Sequence, residues 1–113
     1  MSDVVYLIQD MLFSSKLRET AKQTGVTVQA VRDPAAWAAA AREAKLAIVD
    51  LRLPAALLAL DALGEAPGVR TVGFIDHEKT EVMDAARAKG CAEVMAKGQF
   101  ANALPKLLMS LSA

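Results

Sequence analysis

The sequence has very little of what several classes of functional site require. A single cysteine, Cys91, excludes an internal disulfide and a cysteine-based zinc site, and a single histidine, His77, excludes a multi-histidine metal centre. Aromatic residues make up only 4% of the chain, which argues against a surface that stacks nucleic-acid bases. Thirteen basic and thirteen acidic residues cancel, so we expect neither nucleic acid nor an anionic membrane as a partner.

Long hydrophobic runs are missing as well. No apolar stretch approaches the roughly 18–20 residues that a membrane span needs. The first residues include Asp3 where a secretory signal has a basic region, so we expect a cytoplasmic protein. With 113 residues, of which 54% are hydrophobic, the chain is predicted to form a single domain, residues 1–113, with one core.

What the sequence does contain is a regular alternation of strand and helix patterns. Apolar or β-branched runs predict strands over Val4–Ile8, Val26–Val31, Leu46–Val49, Val69–Ile75 and Ala92–Ala96. The segments between and after them predict helices over Phe13–Thr24, Ala35–Ala44, Ala55–Leu63, Glu78–Lys89 and Ala101–Leu111. This alternation is typical of an α/β fold, a doubly wound parallel sheet with helices on both faces.

Three single residues carry expectations of their own. Pro105 falls within the last predicted helix, in or near the first turn, where the missing amide of proline is tolerated. Trp37 lies on an alanine-rich helix and is interpreted as a packing residue, with an interface anchor as the alternative. Cys91 follows a glycine at the start of a strand, so we interpret it as a small buried residue rather than a nucleophile.

Polar residues that follow the predicted strands define a candidate site. In an open parallel sheet, ligands bind at the carboxyl ends of the strands. The third strand is apolar and is followed by Asp50, which makes this carboxylate the strongest candidate. The ends of the other strands add Gln9, Asp10, Ile75, Asp76, His77 and Lys97. Carboxylates that face one lysine are suited to hold Mg²⁺ and a phosphoryl group.

These features resemble the receiver domain of response regulators, a flavodoxin-like fold, over nearly the whole chain. The resemblance rests on Asp10 after the first strand, the segment Asp50-Leu-Arg-Leu-Pro54, Lys97 at the end of the fifth strand and the order of the five units. It implies a five-stranded sheet of order 2-1-3-4-5 with Asp50 as the phosphoacceptor. It also implies that Asp10, Asp50 and the backbone carbonyl of Arg52 bind Mg²⁺, and that Lys97 contacts the phosphate.

Several positions depart from the receiver pattern. Gln9 replaces one of the two acids that receivers have after the first strand, so we expect Mg²⁺ to bind weakly. Ile75 stands where receivers have a threonine or serine whose hydroxyl meets the phosphoryl group, and isoleucine cannot donate that hydrogen bond. Gly98 follows Lys97 where receivers usually have proline. The switch is therefore expected to be more degraded than the phosphoacceptor.

The candidate residues also have purely structural interpretations. Asp50 would cap a turn, Asp10 would cap the first helix, and Lys97 would form a structural ion pair with Asp50. Asp76 and His77 would either line the crevice, where they could replace the missing hydroxyl, or lie on the surface beside it. The residue types alone leave these alternatives open.

Taken together, these observations predict a stand-alone receiver-like signalling domain with a degenerate switch, which binds another protein and is not an enzyme. The expected partner is a histidine kinase or a downstream effector, and we also consider a homodimer. The resemblance assigns contacts to the fourth helix, fifth strand and fifth helix, here with Lys89, Glu93, Met95, Gln99, Asn102 and Lys106. Two alternatives stay open: a working receiver phosphorylated at Asp50 by a histidine kinase with Mg²⁺, and a small-ligand-binding flavodoxin-like module.

Overall fold

The computed structural model describes residues 2–111, in which strands and helices alternate from beginning to end. The strands are β1 (Val4–Leu7), β2 (Val28–Ala30), β3 (Leu46–Asp50), β4 (Arg70–Ile75) and β5 (Glu93–Ala96). The helices are α1 (Met11–Thr24), α2 (Pro34–Ala41), α3 (Ala56–Leu63), α4 (Thr80–Ala88) and α5 (Lys97–Met109). The α/β class predicted from the sequence is therefore confirmed.

The strands form one parallel sheet with the order β2-β1-β3-β4-β5, which confirms the order that the receiver resemblance implied. Leu7 lies opposite Val49, and Asp50 lies opposite Phe74. The carboxyl ends of β1, β3 and β4 consequently lie side by side at one edge. This edge is where open α/β sheets bind ligands.

Helices cover both faces of the sheet, because neighbouring residues of its central strands point to opposite sides. Leu46 and Ile48 of β3 pack in the core formed with α1 and α5. Ala47 and Val49 pack in the core formed with α2, α3 and α4, which also contains Trp37. No helix among residues 2–111 has the length and the apolar character to cross a membrane.

Two differences from the predicted boundaries concern β2 and α5. Strand β2 is limited to Val28–Ala30, at the edge of the sheet, whereas the β-branched pattern predicted Val26–Val31. Helix α5 begins at Lys97, directly after β5, and not at Ala101. Pro105 therefore lies in the interior of the helix, and its predicted position in the first turn was wrong. Its ring is exposed, so solvent can reach this side of the helix.

Candidate functional site

Asp50 lies at the carboxyl end of the central strand β3 and is 1% exposed. The turn after it is fixed by two backbone hydrogen bonds: the amide of Leu51 donates to the carbonyl of Phe74, and that of Leu53 donates to the carbonyl of Asp50. Gly73 leaves room for the side chain of Leu51 in this turn, because a Cβ at position 73 would lie 2.9 Å from Cδ1 of Leu51 and would force it to shift. The backbone thus holds the Asp50 carboxylate at the edge where the strands end.

The side chain of Arg52 donates hydrogen bonds to both carboxylate oxygens of Asp50. Its Nε donates to Oδ1 at 2.9 Å, its Nη2 donates to Oδ2 at 2.8 Å, and its backbone amide donates to Oδ1 at 3.0 Å. Within residues 2–111, all hydrogen bonds to this carboxylate come from Arg52. These charge-assisted bonds, chiefly those to Asp50, raise the pKa of the guanidinium above its usual value.

Asp10 combines the capping role and the site role that the sequence left open. Its Oδ1 accepts hydrogen bonds from the amides of Leu12 at 2.8 Å and Phe13 at 3.2 Å, so it caps the N-terminus of α1. Its Oδ2 accepts a hydrogen bond from Nη1 of Arg52 at 3.2 Å. The Phe13 amide, the Leu12 amide and Arg52 together hold the pKa of Asp10 below its usual value.

An aromatic cluster supports the guanidinium of Arg52 from the side of the core. Its Cζ lies 5.5 Å from the centroid of the Phe13 ring and 5.6 Å from that of Phe74. Phe74 in turn stacks on Phe100, with ring centroids 4.4 Å apart. Cation–π contacts of this kind add to the ion pairs, so the position of Arg52 is fixed by carboxylates and by rings.

The predicted Mg²⁺ site was tested against this geometry. A cavity of about 250 Å³ is lined by Gln9, Asp10, Asp50, Arg52 and Leu53. Its two carboxylates share one guanidinium, which supplies the positive charge that a metal ion would otherwise bring. No cluster of three or more histidine, cysteine, aspartate or glutamate side chains suited to a metal ion occurs in the described part of the chain. In this arrangement the guanidinium of Arg52 contacts the carboxylate oxygens that the prediction assigned to Mg²⁺.

Lys97 was expected to reach Asp50 or its phosphate, but the structure pairs it with Asp76. Its Nζ lies 2.8 Å from Oδ1 of Asp76. Both residues line a separate cavity of about 320 Å³, together with the exposed His77. The polar residues of the strand ends therefore fall into two groups, one around Arg52 and one around Lys97.

Ile75 was predicted to line the crevice, and the structure corrects this. Its side chain is 4% exposed and packs in the core on the α2 side of the sheet. The neighbouring Phe74 faces the opposite core, as alternation along a strand requires. An apolar side chain at the end of β4 has a core to enter, so it does not remain at the polar edge.

The six residues predicted for a partner surface have two different environments. The exposed ones are Gln99, Asn102 and Lys106, which follow one another at three- and four-residue spacing along α5 and so share a side of it. The engaged ones are Lys89, paired with Asp61 at 2.8 Å, Glu93, paired with Arg70 at 2.6 Å, and Met95, packed against the core. Only the α5 residues are thus available to a partner without breaking a contact.

The Arg52 side chain is the site residue that the sequence interpretation missed, because only its backbone carbonyl was assigned. The available signal was its position two residues after Asp50. A turn of that length returns a long side chain toward the preceding carboxylate, as the bonds at 2.9 and 2.8 Å demonstrate. Nothing in the spacing indicated that the same guanidinium would also reach Asp10.

The ion pair between Asp76 and Lys97 yields a prediction for the pH titration of Asp76. The ammonium of Lys97, ahead of the other neighbouring charges, holds the pKa of Asp76 below its ordinary value of 3.8. A lowered folded-state pKa means that the pair stabilises the fold above that ordinary value and loses its effect as the pH falls through the folded-state pKa. We expect the Asp76 carboxyl carbon in NMR spectra to titrate closer to 3.8 in Lys97→Gln than in the wild type.

Lys79→Gln is the matched control for this titration, because Lys79 has the smallest influence among the charges that lower the pKa of Asp76. It should move the Asp76 titration less than Lys97→Gln does. Identical titrations of Asp76 in the wild type and in Lys97→Gln would contradict the pairing.

Comparison with known proteins places this geometry in a structural class. The chain is similar to the crystal structure of a response regulator from Hahella chejuensis, with a TM-score of 0.77 and 17% identity over 98% of this chain and 95% of that one. It is also similar to a response regulator receiver domain from Rhodospirillum rubrum, with a TM-score of 0.71 and 20% identity over 96% and 92% of the two chains. Neither a protein-family model nor a curated protein sequence matches the chain.

A third similar structure bears on the cation. It is the receiver domain of a sensor histidine kinase from Pseudomonas aeruginosa, which has a magnesium ion coordinated in its active-site cleft. The TM-score is 0.71 and the identity 14%, over 99% of this chain and 98% of that one. The chain described here thus has the flavodoxin-like fold of response-regulator receiver domains, and its Arg52 lies against the acids of the corresponding edge.

Proposed function

We propose that this chain is a receiver-like signalling module that acts by binding another protein, without phosphorylation of Asp50. The observation that carries the proposal is the double hydrogen bond from Arg52 to the carboxylate of Asp50, at 2.9 and 2.8 Å, on a side chain that is 2% exposed. A phosphoacceptor must attack with a carboxylate oxygen. Both oxygens of Asp50 are engaged, so attack would require this partly buried ion pair to open first.

The charge balance around Asp50 supports the same proposal. In a phosphorylated receiver, a divalent cation offsets the charges of the acids and of the incoming phosphoryl group. Here the guanidinium of Arg52 contacts Asp50 and Asp10 together. The pair of acids therefore has its counter-charge within the chain, and the module would keep its shape without Mg²⁺.

The residues at the positions that respond to phosphorylation in receivers make other contacts here. Ile75 has no hydroxyl and is buried in the core. Lys97 is paired with Asp76 at 2.8 Å. A phosphoryl group on Asp50 would consequently lack the hydroxyl that usually responds to it, and Lys97 would have to leave Asp76 to reach it, which favours a constant binding surface over a switched one.

The partner in this proposal is another signalling protein, either a histidine kinase or an effector, and the chain itself has no catalytic turnover. The contact surface would include the exposed side of α5, with Gln99, Asn102 and Lys106. In a homodimer, two copies of the chain would contact each other through this same side of α5. The competing function is a working receiver in which Arg52 moves away and Asp50 is phosphorylated.

The proposal can be tested by adding beryllofluoride and Mg²⁺ to the protein, because beryllofluoride mimics the acyl phosphate of receivers. We expect the amide resonances of Asp10, Asp50 and Leu53 in the wild type to remain unchanged at millimolar Mg²⁺ and beryllofluoride. Saturable shifts at these residues that disappear in Asp50→Asn would contradict the proposal and favour the working receiver. Shifts that persist in Asp50→Asn would be independent of the phosphoacceptor position and would leave the proposal standing.

A further inference from the structure

A second cavity, larger and mostly apolar, opens beside the acidic site. It has a volume of about 570 Å³ and its lining includes Ile8, Gln9, Met11, Arg32, Leu53 and Pro54. These residues follow β1, β2 and β3, so the cavity lies at the carboxyl edge of the sheet and spans the point between β1 and β3 where the strand order reverses. Open α/β sheets bind ligands at this point, and the volume is within the roughly 300–1,000 Å³ range of small-molecule sites.

The charge of this cavity comes from Arg32, which among residues 2–111 is the one charged residue in its lining. Arg32 is exposed and makes no hydrogen bond or ion pair to any residue between 2 and 111. The neighbouring acids are committed: Asp33 accepts a hydrogen bond from the amide of Ala36 at 2.9 Å, and Asp10 binds Arg52 and the start of α1. The guanidinium of Arg32 is therefore free for an anionic group from outside the chain.

The rim of the cavity includes an exposed apolar side chain. Met11, which lines the cavity, is 80% exposed although it belongs to the first turn of α1. An exposed apolar side chain at a cavity is typical of binding sites, and methionine adapts its shape to different ligands. An apolar body together with one anionic group would match this combination of a flexible apolar rim and a single guanidinium.

We propose that this cavity binds a small amphipathic carboxylate, meaning a compact aliphatic or aromatic body with one carboxylate group. The carboxylate accepts hydrogen bonds from the Arg32 guanidinium, and the apolar body lies among Ile8, Met11 and Leu53. The exposed side chain of Gln9 supplies a further donor at the rim. No covalent step is involved.

The proposal does not depend on the absence of phosphorylation at Asp50, and it assigns a role to residues that the partner-binding function leaves unused. Gln9 and Leu53 line both this cavity and the one around Asp50. A ligand bound here would thus touch residues that also border Arg52. The two hypotheses are nevertheless tested by different ligands, so either can fail alone.

Octanoate is a suitable probe, since it carries eight carbons and one carboxylate, and octylamine is its matched cationic control. We expect saturable amide shifts at Ile8, Gln9, Arg32 and Leu53 with millimolar octanoate and none with octylamine. Arg32→Gln should weaken octanoate binding about tenfold, as expected for the loss of a charge-assisted hydrogen bond. Because Arg32 is exposed, this variant is expected to fold as the wild type does.

Arg87→Gln is the control variant, because it removes an exposed arginine of α4 that pairs with Asp84, away from the cavity. It should bind octanoate as the wild type does. The proposal would be overturned by an absence of saturable shifts, by equal binding of octylamine, or by an Arg32→Gln affinity equal to that of the wild type. Shifts confined to residues outside the cavity would overturn it as well.

Discussion

Replacing Arg52 by alanine is expected to lower the free energy of unfolding by about 3 kcal/mol, a large fraction of the stability of a small domain. The substitution removes the guanidinium bonds to Asp50, at 2.9 and 2.8 Å, and to Asp10, at 3.2 Å. The Asp50 side chain is 2% exposed, so its carboxylate would keep only the backbone amide at position 52 as a partner. Urea unfolding of both proteins at neutral pH measures the loss.

Arg70→Ala provides the matched control for this experiment. Arg70 also forms a double hydrogen bond, to Glu93 at 2.6 and 2.8 Å, but the two side chains are 43% and 32% exposed. An exposed pair contributes about 0–1 kcal/mol, because water screens its charges. Equal losses of stability in the two variants would contradict the argument that the burial of Asp50 makes Arg52 important.

The response of the unfolding midpoint to added Mg²⁺ is a second measurement on Arg52→Ala. Without the guanidinium, the carboxylates of Asp10 and Asp50 would face the cavity of about 250 Å³ with no counter-charge. Millimolar Mg²⁺ should then raise the unfolding midpoint of Arg52→Ala, since a ligand that binds the folded state stabilises it. The wild type should not respond. An equal rise in both proteins would mean that Arg52 does not exclude the cation.

The α/β class could be predicted from the sequence because apolar strand patterns alternate with helix patterns along the chain. Apolar runs such as Leu46–Val49 are typical of strands that are buried on both faces, as in a parallel sheet covered by helices. The strand order came from the receiver resemblance, not from these runs. The start of α5 was misplaced because Lys97 and Gly98 carry no strong helix signal, and the packing of Phe100 and Leu104 against the sheet determines it instead.

The site was less predictable, because strand ends fix backbone positions but not the reach of side chains. The positions of Asp10 and Asp50 at one edge followed from the topology. The topology did not determine which basic side chain would pair with Asp50. Arg52 and Lys97 each have several rotatable bonds, and either could have reached it. The rings of Phe13 and Phe74, which come from two different elements, help to hold Arg52 where it is. Such a convergence depends on the packed fold and has no signature in residue spacing.

Replacing Trp37 by alanine is expected to reduce the free energy of unfolding by about 3–5 kcal/mol, the usual cost of removing a large buried aromatic side chain. Trp37 was interpreted from the sequence as a packing residue, and its side chain is 0% exposed in the core between the sheet and α2. Its Nε1 also donates a hydrogen bond to the carbonyl of Ile48 at 3.1 Å, which ties α2 to the central strand. The midpoint of urea unfolding, at an unchanged slope, measures the loss.

Trp37→Phe separates the two contributions, because it keeps most of the ring volume and removes the donor to Ile48. A hydrogen bond of this type contributes about 0.5–1.5 kcal/mol net, so the phenylalanine variant should lose clearly less stability than the alanine variant. Leu58→Ala, at a side chain that is 63% exposed, is the surface control and should change stability by no more than about 0.5 kcal/mol. A loss in Trp37→Ala no larger than that in Leu58→Ala would refute the packing role.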